Sequence, residues 1–286
     1  MGSLSRFTDE LLAWGLPRLR EFPWRATRDP WHVLVSEVML QQTNVGRVHS
    51  RFERFVALAP SPRACVARPL ADLLVEWQGM GYPRRCRNIQ EAARVIVDRH
   101  DGVVPRDLGS LMALPGIGPY TARAILAFAF DDDAAVVDTN VARVIARVEG
   151  RVLKARETQD LADELLPHGF ARDWNQVIMD FGATVCSART PECASCPVRV
   201  HCAWKGEGDD PARATAFTSR PQARFEGSDR QARGRLMKAL TGGAVPRNGL
   251  AATMGIDDSA RVARLVDSLV RDGLVELGDD GYRLSS

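Results

Sequence analysis

Lysine is nearly missing from this chain. Of its 38 basic residues, only Lys154, Lys205 and Lys238 are lysines. The first 153 residues therefore hold no side-chain amine, which excludes a Schiff-base nucleophile from that region. Long apolar runs are missing too: no 18 apolar residues follow one another, so no membrane-spanning helix is expected. The opening "MGSLSRFTDELL" lacks the apolar core and the cleavage pattern of a secretion signal. These absences point to a cytoplasmic protein with no membrane partner. In that compartment thiols stay reduced, and clustered cysteines suggest metal rather than disulfides. A large excess of one charge is also lacking. The net charge of +2 argues for no partner by itself. Finally, no strand-like alternation of any length and no internal repeat occurs before residue 206, which excludes a β-rich or solenoid front.

What is present reads as helix. Apolar residues recur at three-four spacing in Phe52–Val56–Leu58, Leu70–Leu73–Leu74–Trp77 and Ile89–Ala92–Ala93–Ile96. "GEGDDPARATAFTSRPQARFEGS", 206–228, is polar and rich in Gly, Pro and Ser, the composition of a linker. Residues 229–286 read as a separate small domain. "DRQARGRLMKAL" and "RNGLAATMG" predict two helices. "DDSARVARLVDSLVRDG" predicts a third, with Val262, Leu265, Val266, Leu269 and Val270 on one stripe and Gly273 as its stop. "LVELGDDGYRL" predicts two short strands around an Asp-Gly turn. Three helices and a terminal hairpin make a winged-helix-like α/β tail.

Three features carry chemistry. Cys186, Cys193, Cys196 and Cys202 form C-x6-C-x2-C-x5-C. Structural zinc usually takes two C-x2-C knuckles. One such knuckle with two wider arms favours an iron–sulfur cluster over zinc, with His201 as a possible mixed ligand. Cys65 and Cys86 stand apart and read as small core residues. "LMALPGIGPYTARAI", 111–125, has the order of a helix–hairpin–helix: Leu111 and Leu114 end one helix, Gly116 and Gly118 turn, and Pro119 opens the next. Bare N–H groups beside a helix start suit an anion, and a DNA phosphate is a natural occupant. In "VLVSEVMLQQT", 33–43, one acid, Glu37, lies in an almost unbroken apolar run. Desolvation favours the protonated form of such a carboxyl, which makes it a candidate general acid.

The ordered set "PWR" 23–25, "SEVMLQQT" 36–43, "GMGY" 79–82, "LPGIGPYTA" 114–122, "VVDTNVARV" 136–144 and the four cysteines resembles the helix–hairpin–helix DNA glycosylases. Within them it is most similar to the MutY-type adenine glycosylases. The likeness covers about residues 8–205, roughly 70% of the chain. It implies an all-α, two-lobed fold with DNA lying across the cleft between the lobes. Residues 25–130 would form a six-helix barrel with the hairpin. Residues 131–205 would hold a 4Fe–4S cluster and pack against the N-terminal helix, 1–24. The partner implied is double-stranded DNA containing a mispaired adenine, bound by a monomer near the nucleoid. The target nucleotide would be flipped out of the stack.

The same likeness implies the roles. Glu37 protonates the adenine at N7. Asp138, which as a residue type also suits a helix N-cap, sets a negative charge beside the sugar as the base departs. Asn140 orients the reacting groups, and Thr139 stands where many relatives have glycine. Tyr120 occupies the position where strand-cutting relatives carry a lysine, so base removal without a lyase step is expected. Gln42 and Tyr82 probe the helix near the lesion. Arg189 and the run Arg84, Arg85 and Arg87 are candidate phosphate contacts. The tail departs from the pattern, being too short for the nucleotide-hydrolase-like domain that ends typical MutY-type enzymes. The first expectation is excision of adenine opposite 8-oxoguanine or guanine. The alternatives are a thymine/uracil mismatch glycosylase of the same superfamily and a non-catalytic iron–sulfur DNA-binding regulator.

Overall fold

Residues 2–217 and 224–286 are described by the computed structural model. Residues 218–223, within the expected linker, lie outside the described residues. Helices run in the order α1 (Gly2–Gly15), α2 (Pro30–Leu40), α3 (Val45–Leu58), α4 (Pro62–Val66), α5 (Leu70–Glu76), α6 (Arg84–Arg99) and α7 (Leu108–Met112). They continue with α8 (Pro119–Phe130), α9 (Thr139–Glu149), α10 (Ala155–Leu165), α11 (Ala171–Thr184), α12 (Asp229–Leu240), α13 (Leu250–Met254) and α14 (Ser259–Arg271). Strands β1 (Val275–Gly278) and β2 (Gly281–Leu284) close the chain. The all-α expectation with a small terminal hairpin holds. Among the described residues no helix is long and apolar enough to cross a membrane.

The contacts divide the chain into two units: residues 2–33, 106–112 and 117–217 in one, and 34–105, 113–116 and 224–286 in the other. In the first, α1 supplies Phe7 and Leu11 to a core built with α9, α10 and α11, including Val141, Ile145, Trp174 and Phe181. Phe7 meets Trp174 edge-on, with ring centroids 6.2 Å apart. Asp180 of α11 accepts hydrogen bonds from both Arg20 and Arg25, which ties the segment after α1 to this core. The extended segment Ala134–Val137 is buried and lies outside any sheet, so its backbone needs other partners. Asn175 supplies them. Its Oδ1 accepts from Val136 N at 2.8 Å and its Nδ2 donates to Ala134 O at 2.9 Å. Part of the polar stretch 206–228 also packs here. Ala212 is buried, and Asp210 caps the short turn Pro211–Arg213 and pairs with the buried Arg147 at 2.7 Å.

In the second unit, α2 to α6 bury Leu34, Val38, Phe52, Phe55, Leu73, Leu74, Ile89 and Ile96. Cys65 and Cys86 are fully buried, and burial pushes the Cys65 thiol up to about 12, so it stays an unreactive thiol. The tail belongs to this unit. Leu236, Met237 and Leu240 of α12 pack with Leu250 and Met254 of α13 and with Val262, Leu265, Val266 and Leu269 of α14. Each such side chain contributes about 1.5–3 kcal/mol by leaving water. Val270, placed on that stripe by spacing, is 41% exposed instead, because it falls one position past the face that meets α12. Gly273 follows the helix at φ +62°, as a stop signal should. The hairpin turn differs from the Asp-Gly reading: Gly278 pairs with Gly281, so Asp279 and Asp280 form the tip. Val245 bridges to Tyr282, adding a short edge to the hairpin.

Candidate active site and cysteine centre

Helix α2 begins where Asp29 Oδ1 accepts from the backbone N–H groups of Trp31 and His32, with Pro30 at the first helical position. Val33, Leu34, Val35, Val38 and Met39 are all buried, and Glu37 among them is 5% exposed. The apolar run is thus a helix buried nearly all round, and the acid is inside it.

The end of α2 is held by a residue that motif reading misassigned. Arg85 is buried and cannot reach a phosphate. Its Nη1 donates to the carbonyls of Val38, Met39 and Gln41 at 2.8, 3.1 and 2.6 Å. Its Nη2 donates to Thr43 Oγ1 at 2.8 Å and to the carbonyls of Met80 and Gly81, both at 3.1 Å. A cation at a helix C-terminus is favoured by the helix dipole, and here the exposed carbonyls replace a carboxylate partner. Burial lowers the Arg85 guanidinium to about 10, so it stays charged at neutral pH. The effect is to fasten the helix carrying Glu37 to the turn carrying Tyr82. A signal existed in the sequence: position 85 falls in register with the buried Ile89, Ala92 and Ile96.

Gln42 and Tyr82, expected to probe the DNA helix, share an uncommon backbone. Both lie in the left-handed region, at φ +53° and +47°. Non-glycine residues rarely sit there, and such strain gathers at functional positions. Gln42 is exposed and Tyr82 is 38% exposed. Trp77 Nε1 donates to Gly81 O at 3.1 Å, and Thr43 Oγ1 donates to Met80 O at 3.2 Å, which further fixes the turn.

At the hairpin, α7 ends at Met112, and Leu114 lies buried in the turn after it rather than ending the helix. Gly116 has φ +79°, and an added Cβ would come within 2.8 Å of Asn88, so glycine is required there by the fold. Gly118 differs. Its φ is −94°, and an added Cβ would meet nothing within 4 Å. Among the described residues nothing demands glycine at 118, whereas close approach of an outside group to its backbone would. Pro119 opens α8 as expected, without a side-chain cap. Tyr120, on the first turn, is half-buried against the small cluster of Ala124, Ala127, Val136 and Ala171.

Asp138 ends the segment held by Asn175 and caps α9. Its Oδ1 accepts from the backbone N–H groups of Asn140 and Val141 at 2.8 and 2.7 Å. Its Oδ2 accepts from Asn140 Nδ2 at 2.9 Å. Asn140 is itself oriented by Arg143, whose Nη2 donates to Asn140 Oδ1 at 2.7 Å and to Gly182 O at 2.6 Å, and whose Nε donates to Cys186 O at 2.8 Å. Burial pushes the Asp138 carboxyl up, against those three hydrogen bonds and the Arg143 charge, which pull it down; burial wins. Arg143 was not singled out by sequence, because its role depends on the carbonyls of Gly182 and Cys186, about forty residues downstream.

The four cysteines line one cavity, with Val144, Phe181 and Arg147 on its walls. Among the described residues no group of three or more His, Cys, Asp or Glu side chains is arranged to hold a single metal ion. Four thiols around one cavity are a donor set for a metal centre. His201 does not join them; its Nε2 lies 3.0 Å from Glu10 Oε2. Arg147 Nη1 donates to Cys186 Sγ at 3.3 Å and to Ser187 O at 2.8 Å. Arg189 is exposed beside this loop.

The family model described as the HhH-GPD superfamily of base excision DNA repair proteins matches residues 35–168. An adenine DNA glycosylase from Mycolicibacterium smegmatis is 42% identical over 278 residues, covering 95% of this chain and 93% of that one. The chain belongs to the MutY-type adenine DNA glycosylases. A thymine/uracil-DNA glycosylase from Methanothermobacter thermautotrophicus is 34% identical over 200 residues, covering 68% of this chain and 90% of its own. The mycobacterial match takes in most of the tail, whereas the archaeal one leaves about a third of this chain unmatched. The short tail is thus shared with an adenine glycosylase of similar length and does not set the chain apart from the family. A solved complex of endonuclease III with DNA superposes with a TM-score of 0.62 at 28% identity, over 70% of this chain and 93% of that one.

Proposed function

We propose that this adenine DNA glycosylase of base excision repair hydrolyses the N-glycosidic bond of adenine mispaired with 8-oxoguanine or guanine in duplex DNA. Glu37, buried on α2, gives its proton to N7 of the flipped adenine. The bond between C1′ and N9 then breaks with its electron pair passing to the base. Asp138, capping α9, stabilises the cationic sugar that remains. Water adds to C1′, and its released proton restores Glu37, leaving an abasic site. The single observation that carries the reading is a carboxyl sealed inside the apolar helix that bears the "SEVMLQQT" motif. Gly116 and Gly118 present backbone N–H groups to a phosphate, Gln42 and Tyr82 enter or flank the stack, and Arg189 contacts the backbone.

Duplexes with one A opposite 8-oxoguanine, A opposite G, T opposite G, or U opposite G test this. After alkali, strand breaks are expected for the adenine duplexes alone. Breaks at T or U select the mismatch-glycosylase reading, and none at any duplex selects the regulator. With Tyr120 at the hairpin, borohydride should trap no covalent adduct.

The same proposal assigns a 4Fe–4S cluster to Cys186, Cys193, Cys196 and Cys202. A bound cluster would cross-link the four arms and fix the loop between them, and Arg147 would donate to one of its sulfur ligands. Purified protein should show broad visible absorbance with about four irons per chain. Cys196→Ser should lose both; a colourless parent containing zinc would refute the assignment.

A further inference from the structure

Four hydrogen bonds and ion pairs between the tail and the rest of its unit converge on one ten-residue segment. Gln78 Nε2 donates to Met237 O at 3.2 Å, and Arg87 Nη1 donates to Asp272 O at 2.7 Å. Arg84 lies 3.8 Å from the Asp272 carboxylate. Between these anchors, Arg230 Nη1 donates to the Tyr82 hydroxyl at 3.1 Å. Gly273 lies beside this contact, where a Cβ would come within 2.9 Å of the Arg87 guanidinium. All four contacts fall on Gln78–Arg87, the strained Tyr82 turn and the first turn of α6.

Several of the tail's arginines are committed to carboxylates within it. Arg233 pairs with Asp272, Arg261 and Arg264 with Asp229, and Arg283 with Glu276. The hairpin tip is Asp279 and Asp280, two carboxylates that a phosphate would repel. Arg230 behaves differently. Its guanidinium lies 5.2 Å from the centre of the Phe225 ring while donating to the Tyr82 hydroxyl.

We propose that the C-terminal domain is a positioning domain for mispair reading, and that Arg230 is the residue through which it sets Tyr82. A left-handed tyrosine costs free energy to hold; Arg85, Thr43 and Trp77 secure the backbone carbonyls around it, and the Arg85 guanidinium lies 5.7 Å from the centre of its ring, but none of these contacts holds its hydroxyl. The tail secures the hydroxyl at the end of the side chain. This inference rests on the reading of Tyr82 as a DNA contact.

The test uses full-length protein and duplexes whose target adenine carries a 2′-fluoro sugar that resists cleavage, placed opposite 8-oxoguanine, G or T. Tyr82→Ala should weaken binding to the 8-oxoguanine duplex. Arg230→Ala and Tyr82→Phe should each weaken it about fivefold, the size of one hydrogen bond, and should narrow the preference for 8-oxoguanine over T. The double variant should be no worse than either single one, and Arg230→Lys should recover part of the loss. On cleavable duplex the Arg230→Ala loss should fall on KM rather than kcat. Additive losses, or full affinity in Arg230→Ala beside weakened Tyr82→Ala, would overturn the positioning role and leave the Tyr82 reading standing. Full affinity in Tyr82→Ala would remove both.

Discussion

Glu37→Gln should bind an A:8-oxoguanine duplex with unchanged affinity and cleave it at least about 100-fold more slowly in a single turnover, within the range typical of a lost general acid. The substitution keeps size and hydrogen-bonding capacity and removes only the transferable proton. Because Glu37 is 5% exposed on a helix buried nearly all round, the surrounding packing should hold the amide where the carboxyl was. For the protonated Glu37 of the proposed mechanism stability should change little, since a neutral amide is no harder to bury than a neutral acid. The comparison that matters is with Glu37→Asp. That variant keeps the proton and withdraws it by one methylene, so it should retain more activity than Glu37→Gln while leaving a small cavity. Equal rates for parent and Glu37→Gln would end the acid assignment. A loss of affinity matching the loss of rate would turn Glu37 into a binding residue.

Much of this site could be read from local sequence because its physics is local. Gly116 must be glycine for its own backbone and for the Asn88 side chain beside it. Asp138 caps the helix that starts one residue later, and the cysteines declare themselves by spacing. Other parts depend on partners far along the chain. Arg85 looked like surface charge in an arginine-rich run, yet its acceptors lie on α2, more than forty residues earlier. Asp210 sat in a polar stretch with linker composition, yet it pairs with Arg147 sixty-three residues away. Asn175 supports the segment before Asp138 from α11, and nothing in "RDWNQV" marks it for that task. In each case a side chain satisfies buried backbone or a buried charge, and periodicity is blind to that. The hydroxyl contact of Tyr82 belongs to the same class, since Arg230 lies 148 residues further along the chain.

Asp138→Asn should fold as well as the parent and lose about 100- to 1000-fold in rate, the scale of removing a preorganised electrostatic group. Asparagine is as good an N-cap as aspartate, so the bonds from the Asn140 and Val141 N–H groups survive. The bond to Asn140 Nδ2 is lost, at a cost of about 1 kcal/mol. An opposing gain follows from the carboxyl's raised pKa. A carboxyl that binds its proton more tightly folded than unfolded makes ionisation destabilising. That penalty is absent below the unfolded value, grows as pH rises, and is complete above the folded value. At neutral pH the parent bears it and the asparagine variant does not, so the two melting temperatures should nearly coincide. The rate has its own pH signature. In the proposed mechanism Asp138 acts as an anion, so parent activity should fall as pH drops through the raised value, giving an acid limb above the 3.8 of an ordinary aspartate. A single-turnover pH profile with no limb above that point, or an asparagine variant that turns over normally, would show that the buried charge does no work on the departing base. If the variant unfolds instead, the carboxylate was needed for the cap, and Asp138 would be a structural residue first.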